Sequence, residues 1–152
     1  MKLLAIDTST DRLSLAVTDG DKVIGRFHRP AKRSHSRLLI PSIDKLLKKA
    51  KLKLKDIDGF VVSIGPGSFT GLRIGVTTVK GLAYSLRKPI VTVPTLNAIA
   101  HNIKNFRGII CPVLDARKNK VYACIYRSDG NTIKRISKYL LLPMADLVDM
   151  IK

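Results

Sequence analysis

The sequence predicts a mixed α/β fold: a five-stranded mixed sheet covered by helices, followed by a short and incomplete second lobe. Three observations carry this expectation. Three short apolar runs joined by tight turns open the chain. A helix–strand–helix–strand–helix succession follows them. After Arg107-Gly108 the strand pattern restarts.

Leu3 to Ile6, Leu13 to Thr18 and Lys22 to His28 read as strands, with Asp19-Gly20-Asp21 as a hairpin turn between the last two. Leu39, Ile43, Leu46, Leu47 and Ala50 recur at helical spacing, with Ser34 or Ser36 as N-cap and Pro41 near the first turns. Phe60 to Ile64 is the fourth strand. A helix from Gly71 to Leu86 follows and stops before Pro89. Ile90 to Val93 is a fifth strand, and Leu96 to Ile103 a short helix. Adjacent antiparallel strands followed by strand–helix crossovers give a mixed sheet with helical cover. That order matches the ribonuclease H-like half of the actin-type ATPase fold. Ile109 to Leu114, Val121 to Tyr126 and Ile133 to Leu142 read as strands of the second lobe, and Ala145 to Ile151 as a helix. The basic segment from Lys104 to Arg107 marks the boundary, giving a first lobe over 1–104 and a partial second lobe over 105–152.

With 152 residues, 45% of them hydrophobic, the chain buries a real core. Its net charge of +17, from 28 Lys and Arg against 11 Asp and Glu, points to an anionic partner. The opening apolar run ends at Asp7, which argues against a secretory leader, and no stretch is long enough for a membrane span. Cys111 and Cys124 match no zinc spacing, and a reduced, cytoplasmic setting is expected.

The stretch Ile64-Gly65-Pro66-Gly67-Ser68-Phe69-Thr70-Gly71-Leu72-Arg73-Ile74-Gly75 joins a strand to a helix. It lacks the Gly-Lys-Ser/Thr ending of a Walker A loop and the spacing of a dinucleotide fingerprint. The helix it opens is small or apolar nearly all round, so both sides are expected to be covered, one by its own sheet and the other by a second helix. Gly71 and Gly75 are spaced for close approach of that neighbour, beside Ile74 and Thr78. Arg73 suits either an ion pair across a subunit interface or a solvated position. Six lysines between Lys45 and Lys55 read first as a solvated helix face and loop.

Asp7 with Thr8 and Ser9 ends the first strand where an active ATPase of this fold would meet phosphate. No glycine-rich phosphate hairpin follows, so the three are weighed as a vestigial phosphate site against a tight turn whose hydroxyls cap backbone groups. His101 has Asn97, a poor metal ligand, four residues before it, and a single histidine rarely holds a metal. His28 and His35 sit at strand-end and helix-start positions. No spacing suggests a catalytic triad, and no cofactor or metal is expected.

Leu4-Ala5-Ile6-Asp7-Thr8-Ser9-Thr10, His35-Ser36-Arg37-Leu38-Leu39-Ile40-Pro41, the glycine-rich segment and Asp115-Ala116-Arg117-Lys118-Asn119-Lys120-Val121-Tyr122-Ala123 together resemble the TsaB family. The resemblance spans nearly the whole chain. It implies a two-lobed actin-like fold and a non-catalytic dimerisation subunit. That subunit pairs with the catalytic subunit TsaD and works with the ATPase TsaE. The complex adds threonylcarbamoyl to the adenosine beside the anticodon of tRNA, which this chain would touch only indirectly. Family members usually run longer, completing the second lobe. The expected partner surface is the two long helices, through Leu39, Ile43, Leu46, Gly71, Arg73, Ile74, Gly75 and Thr78, with a homodimer when the chain is alone. The alternatives are a small actin-like ATP-binding protein and a stand-alone basic RNA-binding module.

Overall fold

Alternation of apolar and polar residues makes the first three segments strands, and the turns between them make the strands antiparallel. The computed structural model of the chain describes residues 1–32 and 34–151. β1 (Lys2–Asp7), β2 (Arg12–Asp19) and β3 (Lys22–Pro30) form the meander. On β2, Leu13, Leu15 and Val17 are buried, while Ser14, Ala16 and Thr18 between them are half-buried. α1 (His35–Lys49) follows, with Pro41 inside its first turns. β4 (Gly59–Ser63) pairs parallel to β1, α2 (Phe69–Leu86) crosses over, and β5 (Ile90–Val93) pairs parallel to β4. The strand order β3-β2-β1-β4-β5 is the expected five-stranded mixed sheet.

One core joins that sheet to the two helices. Leu4, Ile6, Leu13, Leu15, Val17, Phe60 and Val62 face Leu39, Ile43, Leu46, Leu47, Val79 and Ala83. Burial of this set is the main stabilisation of the first unit, at about 1.5–3 kcal/mol per large apolar side chain.

The chain divides into two units, Met1–Val93 and Pro94–Lys152. The division therefore falls before the basic segment that the sequence suggested as the boundary. The reason is α3 (Thr95–Ala100), whose Leu96 and Ala100 are buried with Ile110, Cys124 and Tyr126 of the second unit.

The second unit differs from expectation in its strands. Each of the three predicted strands is broken in two, giving β6 (Arg107–Ile110) and β7 (Val113–Arg117), β8 (Lys120–Ala123) and β9 (Tyr126–Asp129), and β10 (Ile133–Arg135) and β11 (Leu140–Pro143). They form two antiparallel sheets, β10-β9-β6 and β11-β8-β7. The breaks have local causes. Pro112 has no N–H to give a ladder. Ile125 N donates to Ser137 Oγ at 2.8 Å, and Ile125 O accepts from Ile136 N at 2.8 Å, so a side chain interrupts the pairing. α4 (Met144–Ile151) follows, with Leu147 buried against Val121 and Ala123.

Candidate functional site

The glycine-rich segment brings α2 onto the end of β1. A Cβ at Gly67 would overlap the carbonyl oxygen of Ser9, one at Gly71 that of Thr8, and one at Gly75 the Thr8 Oγ1. Three glycines thus let the loop and the first turns of α2 lie directly on the β1–β2 connection. Hydrogen bonds fasten this approach. Ser68 N donates to Ser9 O at 2.7 Å, and Thr8 Oγ1 donates to Gly71 O at 2.7 Å. Ser68 Oγ caps the helix by accepting from Gly71 N at 3.2 Å.

Asp7, Thr8 and Ser9 are therefore engaged inside the chain. Asp7 Oδ1 accepts from Ser9 N at 2.7 Å, a turn bond of the kind Asp makes two residues ahead. Thr8 is bound to Gly71, and Ser9 Oγ is buried without a hydrogen-bond partner. The loop thus lies on the backbone of Thr8 and Ser9.

The residues predicted to face a partner separate into two groups. Leu39, Ile43 and Leu46 are 1%, 4% and 2% exposed and belong to the chain's own core, while Gly71 and Gly75 face Thr8. These five are corrected from partner surface to interior: the three residues of α1 pack into the core under the sheet, and the two glycines admit Thr8. Arg73 is exposed, with its guanidinium carbon 4.8 Å from the Phe69 ring centre; Ile74 and Thr78 are half-buried.

The free face of α2 lies opposite. Phe69, Arg73, Thr77, Gly81 and Tyr84 recur every three or four residues, and Phe69 and Tyr84 are 72% and 88% exposed. The sequence reading missed Phe69 and Tyr84, although the same helical period contains them. Beside this stripe, Ile40, Ile43, Leu47, Leu52, Leu54 and Leu82 line a groove of about 530 Å³ rimmed by Lys48, Lys51 and Lys53.

In the second unit, Asn97 and His101 sit on and just after α3. Asn97 Oδ1 accepts from Tyr126 at 2.5 Å and from Tyr139 at 2.9 Å, and the His101 ring lies 2.8 Å from the Asn97 carbonyl oxygen. The amide is thus an acceptor for two phenols, and burial pushes the Tyr126 hydroxyl well above its ordinary pKa. His35 is buried with Nε2 3.3 Å from Arg12 O, which is a packing position. No cluster of potential metal ligands exists among the described residues. The ion pairs among them join Asp19 to the N-terminus and Lys2, and Asp44 to Lys48. Most of the Lys and Arg side chains among the described residues make no ion pair with a carboxylate.

The family model described as TsaD, tRNA N6-adenosine threonylcarbamoyltransferase, matches residues 25–151. The chain is 38% identical over 152 residues to the tRNA threonylcarbamoyladenosine biosynthesis protein TsaB of Bacillus subtilis, a match covering 100% of this chain and 66% of that protein. Against the protein of the same name from Escherichia coli it is 35% identical over 135 residues, covering 88% and 58%. The chain thus spans 66% and 58% of the length of these two relatives. The structure of YeaZ from Pseudomonas aeruginosa superposes with a TM-score of 0.82 at 30% identity, covering 93% of this chain and 67% of that one. On the fold, the glycine-rich helix start and these matches together, the chain belongs to the TsaB family and has its actin-like ATPase fold.

Proposed function

We propose that this chain is a non-catalytic partner subunit in the formation of threonylcarbamoyladenosine on tRNA, and that it pairs with TsaD through the free face of α2. The relatives' names, as tRNA threonylcarbamoyladenosine biosynthesis proteins, support the pathway. The observation that carries the pairing is the uncovered stripe from Phe69 to Tyr84, on a helix whose other face is buried against its own sheet. Two exposed aromatic side chains on one helix are the type of residue that dominates protein interfaces. Arg73, stacked on Phe69, and the half-buried Ile74 and Thr78 flank that stripe. Ile40 of α1 and the adjoining groove extend the surface, so a helix pair of the partner completes a bundle.

The non-catalytic role is supported by Asn97, whose amide oxygen is committed to two tyrosines, and by the hydrogen bonds that Asp7 and Thr8 make within the chain. The chain then acts by binding one conformation of TsaD better than another, which is the physical requirement for activation. TsaE joins the larger complex, and the work is cytoplasmic. No described helix is long and apolar enough to cross a membrane.

Reconstitution tests this reading. Modification of tRNA is measured with TsaD and TsaE, with and without this chain. The expected result is modification that depends on the chain, with no ATP hydrolysis and no modification by the chain alone. Equal rates with and without it would overturn the reading, as would activity of the isolated chain.

A further inference from the structure

The pairing register of β6, β9 and β10 gathers basic residues onto one side of their sheet. Ile109, Arg127 and Lys134 stand in a row across the three strands, and Arg107 stands opposite Asp129 two residues along. Paired residues share a face, as do residues two apart on a strand. All five are exposed. The opposite face holds Ile110, Tyr126 and Ser128, at 8%, 1% and 6% exposure. This side of the sheet is therefore open to solvent and carries three cations.

The one acid on that face, Asp129, is hydrogen-bonded within its own turn, and its charge also acts on Lys134. Asp129 Oδ1 accepts from Asn131 N at 2.9 Å and Thr132 N at 2.7 Å, and Oδ2 accepts from Thr132 Oγ1 at 2.8 Å. None of Arg107, Arg127 and Lys134 forms an ion pair among the described residues. Arg107 lies beside the β9–β10 turn: a Cβ at Gly130 would lie 3.3 Å from Arg107 Cγ and 3.4 Å from its Nε. Arg127 and Lys134 are directly opposite, and like charges so placed repel. A bound anion relieves that repulsion. Three cations side by side on an exposed sheet face suit a ligand with repeated negative charge.

We propose that the exposed face of the β6-β9-β10 sheet, through Arg107, Arg127 and Lys134, binds the phosphodiester backbone of RNA. The exposed Ile109 side chain between Arg107 and Arg127 offers apolar contact to the sugars. The choice of RNA over other polyanions rests on the tRNA-modification reading above. The contacts assigned are to phosphate, so binding is sequence-independent and salt-sensitive.

The test is fluorescence anisotropy of the full chain with labelled, unmodified tRNA across a salt series, with no other subunit present. Arg107→Gln/Arg127→Gln/Lys134→Gln is compared with Lys45→Gln/Lys49→Gln/Lys55→Gln, which removes equal charge from the first unit. The expected result is a fall of roughly two to three in the slope of log affinity against log salt for the sheet variant. Its affinity falls at least about tenfold, with less than about threefold for the control. Circular dichroism checks both folds. If the sheet variant unfolds, Arg127→Gln alone decides, with a slope change of about one. Equal losses in both triple variants, or no loss in the sheet variant, would overturn the proposal. Poly-glutamate of equal charge binding as tightly as tRNA would overturn it in favour of an acidic protein. Because the readout is direct binding, a failure here leaves the reconstitution result untouched, and a failed reconstitution leaves this one standing.

Discussion

Replacing Gly75 with alanine puts one methyl group into the space of Thr8 Oγ1. The same replacement at Gly81, six residues on in the same helix, meets nothing within 4 Å. The pair isolates the close approach of α2 to β1 from helix propensity. Propensity favours alanine over glycine by about 1 kcal/mol at both sites. At Gly81 that is the whole effect, so Gly81→Ala should stabilise the chain by about 1 kcal/mol. At Gly75 two costs oppose it. Overpacking costs about 1–3 kcal/mol, and displacing Thr8 from its 2.7 Å bond to Gly71 O costs about 1–3 kcal/mol more. The net expectation for Gly75→Ala is a loss of about 3 kcal/mol. Urea unfolding followed by circular dichroism reads both, with the free energies taken at equal slope. A Gly75→Ala variant as stable as Gly81→Ala would refute the claim that these glycines serve the chain's own packing.

Thr8→Val keeps the shape and removes the hydroxyl, so it should lose about 1–2 kcal/mol in the same assay, and an unchanged midpoint would contradict the buried bond. The Asp129 carboxyl, held down chiefly by the Thr132 backbone N–H, should titrate near a pKa of about 2 by NMR, and Thr132→Ala should raise it. Its folded pKa lies below its ordinary value, so its contribution to stability is present above about pH 4 and is lost as pH falls toward 2. Without a partner the chain should self-associate through Phe69, Arg73 and Tyr84, giving a light-scattering mass that rises with concentration. Tyr84→Lys should return it to monomer, and a wild-type monomer at the highest concentration would count against the stripe.

The first unit was largely legible because its physics is local. Alternation in Leu13, Leu15 and Val17 and the helical spacing of Leu39, Ile43 and Leu46 determine both element and buried face. Beyond Arg107 the same rules gave strands of the right total extent but not their breaks. Pro112 carried a visible signal for the first break. The bond from Ile125 to Ser137 that accompanies the others is made between residues twelve apart, and nothing local announces it. The partner surface was misassigned for a similar reason. Gly71 and Gly75 were seen to need a close neighbour, but the neighbour is Thr8, 63 residues from Gly71. Two stripes of α2 share one period, and only the tertiary contact decides which is inside.

The most direct test of the account is the affinity of this chain for TsaD, measured by titration calorimetry with wild type and Gly81→Trp. Gly81 is exposed on the free stripe between Thr77 and Tyr84, and a Cβ there meets nothing within 4 Å, so the indole leaves the fold intact while holding a facing helix away. Full burial of Phe69 and Tyr84 is worth roughly 3–6 kcal/mol, so losing that contact should weaken binding at least about a hundredfold. The account predicts tight binding by wild type and that loss in a variant with unchanged circular dichroism. Wild-type affinity in the folded Gly81→Trp variant would contradict it and place the interface on another surface of the chain.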